Sequence, residues 1–162
     1  MTKKRKDEVA LPEIDRTSAV ALFNTARSYR RSAEYLLKGR LKEVTHPHKP
    51  VEFLFCHALE LYLKAYLRAT GSGVKALQRK GHVFSKLLST DKKRGLEVAP
   101  EDKAALRRLD DWDVAIEARY IITGPRHGFE PEVFAALCLN LEHHVGSALT
   151  QMGMRVRYLP VL

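Results

Sequence analysis

The sequence predicts an all-α protein, a four- to five-helix up-and-down bundle, and three observations carry that expectation. Apolar residues recur every three or four positions through several long stretches, the spacing of one helical face. Proline and glycine bracket those stretches in the order that starts and stops helices. No segment shows convincing strand-like alternation, and no internal repeat is visible. At 162 residues, 45% of them hydrophobic and 29% charged, the chain suits one domain with its own core. A chain of this size hides roughly 70% of its extended surface on folding and needs no disulfide staples.

The elements follow in order. Residues 1–14 are polar, rich in lysine and broken at Pro12, and read as a basic flexible N-terminal arm. The helical domain is expected over residues 15–152. Asp15 to Ser18 offer N-cap groups, and Leu22, Ala26, Tyr29, Ala33, Leu36 and Leu37 then form one helical face ending near Gly39. Residues 40–50 carry two prolines and two histidines and form a connection. Pro50 opens the strongest helix, apolar on most of its circumference and stopped by Gly71. A helix of that kind is packed by several neighbours and forms the heart of the core. Its polar residues, His57, Glu60, Lys64 and Arg68, make one narrow stripe.

Shorter helices are expected at 74–78 and 82–88, followed by a solvated loop at 91–95. Pro100, with Glu101 and Asp102 opposing the positive helix end, starts the next helix, whose apolar line is Leu106, Leu109, Trp112 and Ile116. Residues 123–128 contain Gly124, Pro125 and Gly128 and form a loop. The last helix begins at Pro131, shows Phe134, Leu137, Leu141, Val145, Ala148 and Met152, and stops at Gly153. Residues 153–162 form a C-terminal tail.

Composition narrows the functional classes. Cys56 and Cys138 both sit in apolar runs, which fits a reduced protein with small core thiols and nothing to activate them. Charges interrupt every apolar run before the ~18–20 residues that a membrane span needs. The basic start meets Asp7 and Glu8 instead of an apolar segment, unlike a signal peptide. A cytoplasmic protein with no membrane attachment is the expectation. Its net charge of +9 is uneven: 12 basic against 6 acidic residues in 1–50, 9 against 4 in 51–100, and 7 against 9 from 101 onward. The basic part suits a polyanion; the acidic final third suits a basic partner, including a second copy.

The central helix and its sequel are similar to a known family. His57 to Ala65 read His-Ala-Leu-Glu-Leu-Tyr-Leu-Lys-Ala, Gly81-His82 lead into a short helix, and Arg119-Tyr120 follow. This pattern resembles one branch of the HEPN superfamily (higher eukaryotes and prokaryotes nucleotide-binding) over roughly residues 17–150. The resemblance implies a HEPN-type helical bundle, commonly homodimeric and cytoplasmic, without a metal or other cofactor. Many such proteins are metal-independent endoribonucleases of toxin–antitoxin and defence systems; others are binding modules. The ribonuclease branch places four to six residues between an Arg and the His that follows it. Here seven residues separate Arg119 from His127, so the chain departs from that motif.

Several constellations are candidates for chemistry. His57, Glu60 and Lys64, with Arg68 a turn beyond, combine a proton carrier, a carboxylate to orient it and cations for a phosphate. The same stripe also fits a structural network, with Glu60 and Lys64 a favourable i,i+4 pair. His82 is either a cap or a companion to that stripe. Arg79, Lys80 and Lys86, with Lys92, Lys93, Arg94 and the basic residues 3–6, form a phosphate-contacting or simply solvated face. Arg119, Tyr120, Arg126 and His127 cluster where a helix meets a loop, and Arg119, His127 and His57 are the candidate catalytic residues. Asp110, Asp113 and Glu117 are expected on one helical face, suited to pairing with basic helices. His46, His48, His143 and His144 lack the spacing of a metal site, and no phosphate loop or nucleophile elbow is present.

The expectation is therefore a binding or interaction module for a nucleotide or RNA phosphate, an endoribonuclease being the alternative. A structural dimer that partners another protein, such as a nucleotidyltransferase, is the third reading. No cofactor or metal enters any of the three.

Overall fold

The computed structural model describes residues 17–39, 45–119 and 130–156. Every regular element among them is a helix. In chain order these are α1 (Ala19–Lys38), α2 (His48–Ala69), α3 (Val74–Arg79), α4 (Phe84–Lys93), α5 (Pro100–Asp111), α6 (Val114–Glu117) and α7 (Pro131–Gln151). None is long and apolar enough to cross a membrane.

α2 is the spine. α1 lies along it, α7 packs on both, and α3, α4 and α6 contact it from the remaining directions. Phe55, Leu59, Tyr62, Leu63 and Leu67 of α2 are fully buried together with Phe23, Phe84, Leu87, Leu106 and Leu141 from its neighbours. Burying each such side chain contributes roughly 1.5–3 kcal/mol. Truncating a central one, such as Leu63→Ala, costs about 2–5 kcal/mol because the cavity cannot close fully.

The helix ends have local causes. Ser18 Oγ accepts the Ala21 N–H at 3.0 Å and caps α1. α2 ends in a Schellman turn: the Ser72 N–H reaches Leu67 O at 2.9 Å and the Gly71 N–H reaches Arg68 O at 3.1 Å. That turn needs φ = +96° at Gly71, which a side chain disfavours. The same pair of bonds closes α4 through Leu96 and α7 through Met154. Beyond α7, Met154 and Val156 pack against the core.

Four boundaries differ from expectation. α2 starts at His48, two residues before Pro50, because the first turn of a helix has no N–H bond for a proline to remove. α4 starts at Phe84, not at His82, and runs through Lys93, so Asp91 to Lys93 are helical and not a loop. Packing extends that helix: Asp91 is buried with Phe84, Leu87 and Leu88. The helix from Pro100 breaks at Asp113, whose φ is +49°; an aspartate tolerates this left-handed conformation better than most residues. The break sends Val114 and Ala115 inward and leaves Ile116 46% exposed, off the predicted apolar line. In α7, Leu149 closes the core and Met152 is exposed.

Candidate functional site

Spacing of three and four places His57, Glu60 and Lys64 on one face of α2, and that face is turned into the protein. Glu60 is 3% exposed and Lys64 9%. Lys64 Nζ donates to Glu60 Oε1 at 2.5 Å. The other carboxylate oxygen gathers groups from distant segments: His82 Nδ1 at 2.7 Å and Arg119 Nη2 at 2.9 Å. His57 Nδ1 lies 3.9 Å from the same oxygen, an ion-pair distance too long for a hydrogen bond.

Each contributor is held by its own surroundings. Gly81, with φ = +67°, turns the chain so that His82 faces α2. The following helix start is fixed by Asp110 of α5, which accepts the Phe84 N–H at 2.8 Å and the Ser85 N–H at 2.6 Å. This is a capping bond pair supplied from another helix, at the positive end of α4. Arg119 Nη1 also donates to Ala115 O, and its guanidinium lies 5.5 Å from the Phe53 ring centroid, within cation–π range. His57 is stacked on Phe53 at 5.8 Å and meets the edge of Tyr29 at 4.6 Å. Its Nδ1 is buried with no hydrogen-bond partner among the described residues.

The electrostatics follow. Burial alone would raise the Glu60 carboxyl, but His57, Lys64 and His82 together outweigh it and hold the group well below the usual carboxylate range. One carboxylate faces two permanent cations, Lys64 and Arg119, so the cluster carries net positive charge before either imidazole is protonated. Lys64 and Arg119 are largely covered, with side chains 11% and 16% exposed. The histidines form the outer edge: the His82 side chain is 47% exposed and that of His57 26%. Beside His82 runs a cleft walled by Val83, Leu109, Ala115 and Ile116 with Asp110 and Asp113. The break at Asp113 separates it from Asp110, so the acidic residues of this region do not share one continuous helical face.

Of the residues singled out in the sequence, the structure brings together His57, Glu60, Lys64, His82 and Arg119. Arg68 lies elsewhere, at the far end of α2, where it donates to Thr17 O at 2.9 Å and Ser72 O at 3.0 Å. Lys80 donates to Thr90 Oγ1 at 3.1 Å, and Arg79 and Lys86 are exposed. Tyr120, Arg126 and His127 lie outside the described residues. Among the described residues no group of three or more His, Cys, Asp or Glu side chains is arranged to hold a metal ion. Burial pushes the Cys56 and Cys138 thiols up, away from thiolate chemistry.

A second buried carboxylate escaped the sequence reading. Glu142 of α7 pairs with Arg27 at 2.9 Å and Arg30 at 2.8 Å from α1, and accepts the Tyr62 hydroxyl of α2 at 2.7 Å. The signal was present, since Arg27 and Arg30 fall four and seven residues after Phe23, on the core-facing side of α1. The two clusters share their chemistry but not their access. The Glu142 cluster is closed, with Arg27, Arg30 and Glu142 each under one-tenth exposed, and it fastens three helices together. The Glu60 cluster reaches solvent through two imidazoles, which makes it the candidate site.

No family model, no curated protein and no solved structure matches this chain.

Proposed function

We propose that the chain is a HEPN-like helical binding module of the cytoplasm, working as a homodimer, that holds a phosphate group of a nucleotide or RNA at the His57–His82 edge. The carrying observation is the convergence of Lys64, Arg119, His82 and His57 on the single carboxylate of Glu60. A net-positive cluster with imidazoles at its surface offers an anion both charge and N–H donors. Exposed Arg79 and Lys86 and the +9 net charge add longer-range attraction. The cleft beside His82 gives the remainder of a nucleotide an apolar wall, and Asp113 an acceptor for a base amino group.

Titrating the purified protein with adenosine monophosphate and with a short unstructured RNA tests this reading. Binding should weaken linearly on a logarithmic salt scale for RNA. His82→Ala, a change at an exposed side chain, should lower affinity about tenfold, the loss of one charge-assisted contact. Absence of binding to both ligands at low salt, or affinities unchanged in both His82→Ala and His57→Ala, would overturn it.

One observation favours a second reading, a metal-independent endoribonuclease. Two imidazoles beside one carboxylate, His82 hydrogen-bonded to it at 2.7 Å and His57 3.9 Å away, are equipment for moving two protons. One accepts the proton of an attacking RNA 2′-hydroxyl, while the other protonates the departing 5′-oxygen as the phosphorus–oxygen bond breaks and a cyclic phosphate forms. Cleavage in EDTA that is lost in His57→Ala or His82→Ala supports this reading. Cleavage lost only in His127→Ala would move the chemistry to the Arg119–His127 segment.

A further inference from the structure

His57 is the member of the Glu60 cluster whose contact is left unmade. Its Nδ1 is buried with no hydrogen-bond partner among the described residues, 3.9 Å from Glu60 Oε2. The carboxylate itself explains the gap. Each carboxylate oxygen has two lone pairs, and on Oε2 His82 at 2.7 Å and Arg119 at 2.9 Å occupy both. Lys64 holds Oε1 at 2.5 Å. A buried ring nitrogen without a partner is unfavourable in either neutral tautomer. Aromatic neighbours define the plane in which the ring sits: Phe53 lies parallel to within 11° at 5.8 Å, and Tyr29 meets it edge-on at 4.6 Å. A parallel stack permits sliding in that plane, and a slide of roughly 1 Å toward Oε2 would turn the 3.9 Å contact into a hydrogen bond.

The groups around the ring are Tyr29 of α1, Glu60 and Lys64 of α2, His82 before α4 and Arg119 after α6. One carboxylate stands against two permanent cations, so a proton added to His57 in the empty site meets net positive charge. A bound phosphate reverses that balance. The imidazolium then uses both of its nitrogens: Nδ1–H shares Glu60 as a charge-assisted donor, and Nε2–H, on the opposite edge of a side chain 26% exposed, donates to the anion. His82 differs, because its Nδ1 is already bonded to Glu60 whether or not a ligand is present. We infer, resting on the reading that this edge holds a phosphate, that anion binding here takes up a proton and that His57 is the group that receives it. Linkage makes the effect reciprocal: the protonated ring tightens anion binding by the factor by which the anion favours the proton. The site loads as pH falls and releases as pH rises.

The probe is a short oligouridylate without terminal phosphates, whose phosphodiesters and bases keep one charge state from pH ~5.5 to pH ~8, the range in which imidazoles titrate. Its affinity for the full chain at fixed low ionic strength should fall about tenfold or more across that range. Calorimetry in two buffers of different ionisation heat should show net proton uptake on binding, a readout that needs no variant. His57→Ala should flatten the pH profile while keeping the parent unfolding midpoint, and His57→Gln, neutral and closer in size, should flatten it equally. His82→Ala should weaken binding at every pH and retain the slope. Absence of binding at any pH would overturn the phosphate reading and this inference with it. Binding that changes by less than about twofold from pH ~5.5 to pH ~8, or a slope that survives in both His57 variants, overturns the proton linkage alone.

Discussion

Asp91 gives the sharpest prediction about stability. Its side chain is fully buried at the end of α4, and neither carboxylate oxygen has a hydrogen-bond partner among the described residues. Burial pushes its carboxyl up to about 8, against the opposing pull of Arg94 and Lys80. The folded chain thus holds this proton far more tightly than the unfolded chain, whose aspartate releases it near pH ~4. Between those values the native state binds more protons, so stability falls as pH rises, and the loss is complete above the folded value. A displacement of roughly four units corresponds to roughly 5–6 kcal/mol. Asp91→Asn removes the titration but leaves a buried amide, which itself costs about 1–3 kcal/mol. Near pH ~9 the variant should therefore be more stable than the parent by about 2–4 kcal/mol, while near pH ~4 the advantage disappears. Urea unfolding of both chains at five pH values between these limits measures the difference directly. Parallel pH curves, or a variant less stable at high pH, would refute the argument that Asp91 is folded as a neutral acid.

Two further perturbations bear on the candidate site. Glu60→Gln keeps the shape but leaves Lys64 and Arg119 without their counterion, and should cost about 3–5 kcal/mol in urea unfolding. Because the Glu60 carboxyl is held low in the folded state, its contribution is present above the ordinary carboxylate range and is lost as pH falls below about 4, the opposite sign to Asp91. A Glu60→Gln cost under about 1 kcal/mol would mean the cluster is solvated, not buried. Asp110→Ala removes both acceptors at the start of α4 and should cost about 1–2 kcal/mol. It should also loosen the turn bearing His82, seen as a shifted and broadened His82 ring resonance; an unchanged ring signal would separate the cap from the site.

The extents of α1 and α7 are written locally, in Ser18 with Gly39 and in Pro131 with Gly153, because caps act within a turn of the helix end. The stripe on α2 was equally plain, since His57, Glu60 and Lys64 owe their shared face to helical spacing alone. The misread boundaries have tertiary causes. Asp91 to Lys93 look like a solvated run until the burial of Asp91 is known. Ile116 sits at correct helical spacing from Trp112, but the left-handed Asp113 resets the phase between them. Convergence on Glu60 had no local signal at all: His82 lies 22 residues away in the chain and Arg119 lies 59. Proximity of that kind depends on how α5 and α6 dock on α2. Asp110 likewise reads as one more acidic surface residue until α4 is seen resting its first N–H groups on it.

The burial of α2 on nearly every side has a consequence for how this protein can vary. The helix that carries His57, Glu60 and Lys64 is also the one against which most other helices are assembled. Its amides should exchange with solvent only when the whole molecule unfolds, while the six-residue α3 and four-residue α6 open far more readily. The expectation is thus a slowly exchanging floor of the candidate site from α2, and faster exchange in the two short helices that precede His82 and Arg119 in the chain. Evolution or engineering can retune such a site by altering the walls, whereas a change to the floor must be absorbed by the entire fold.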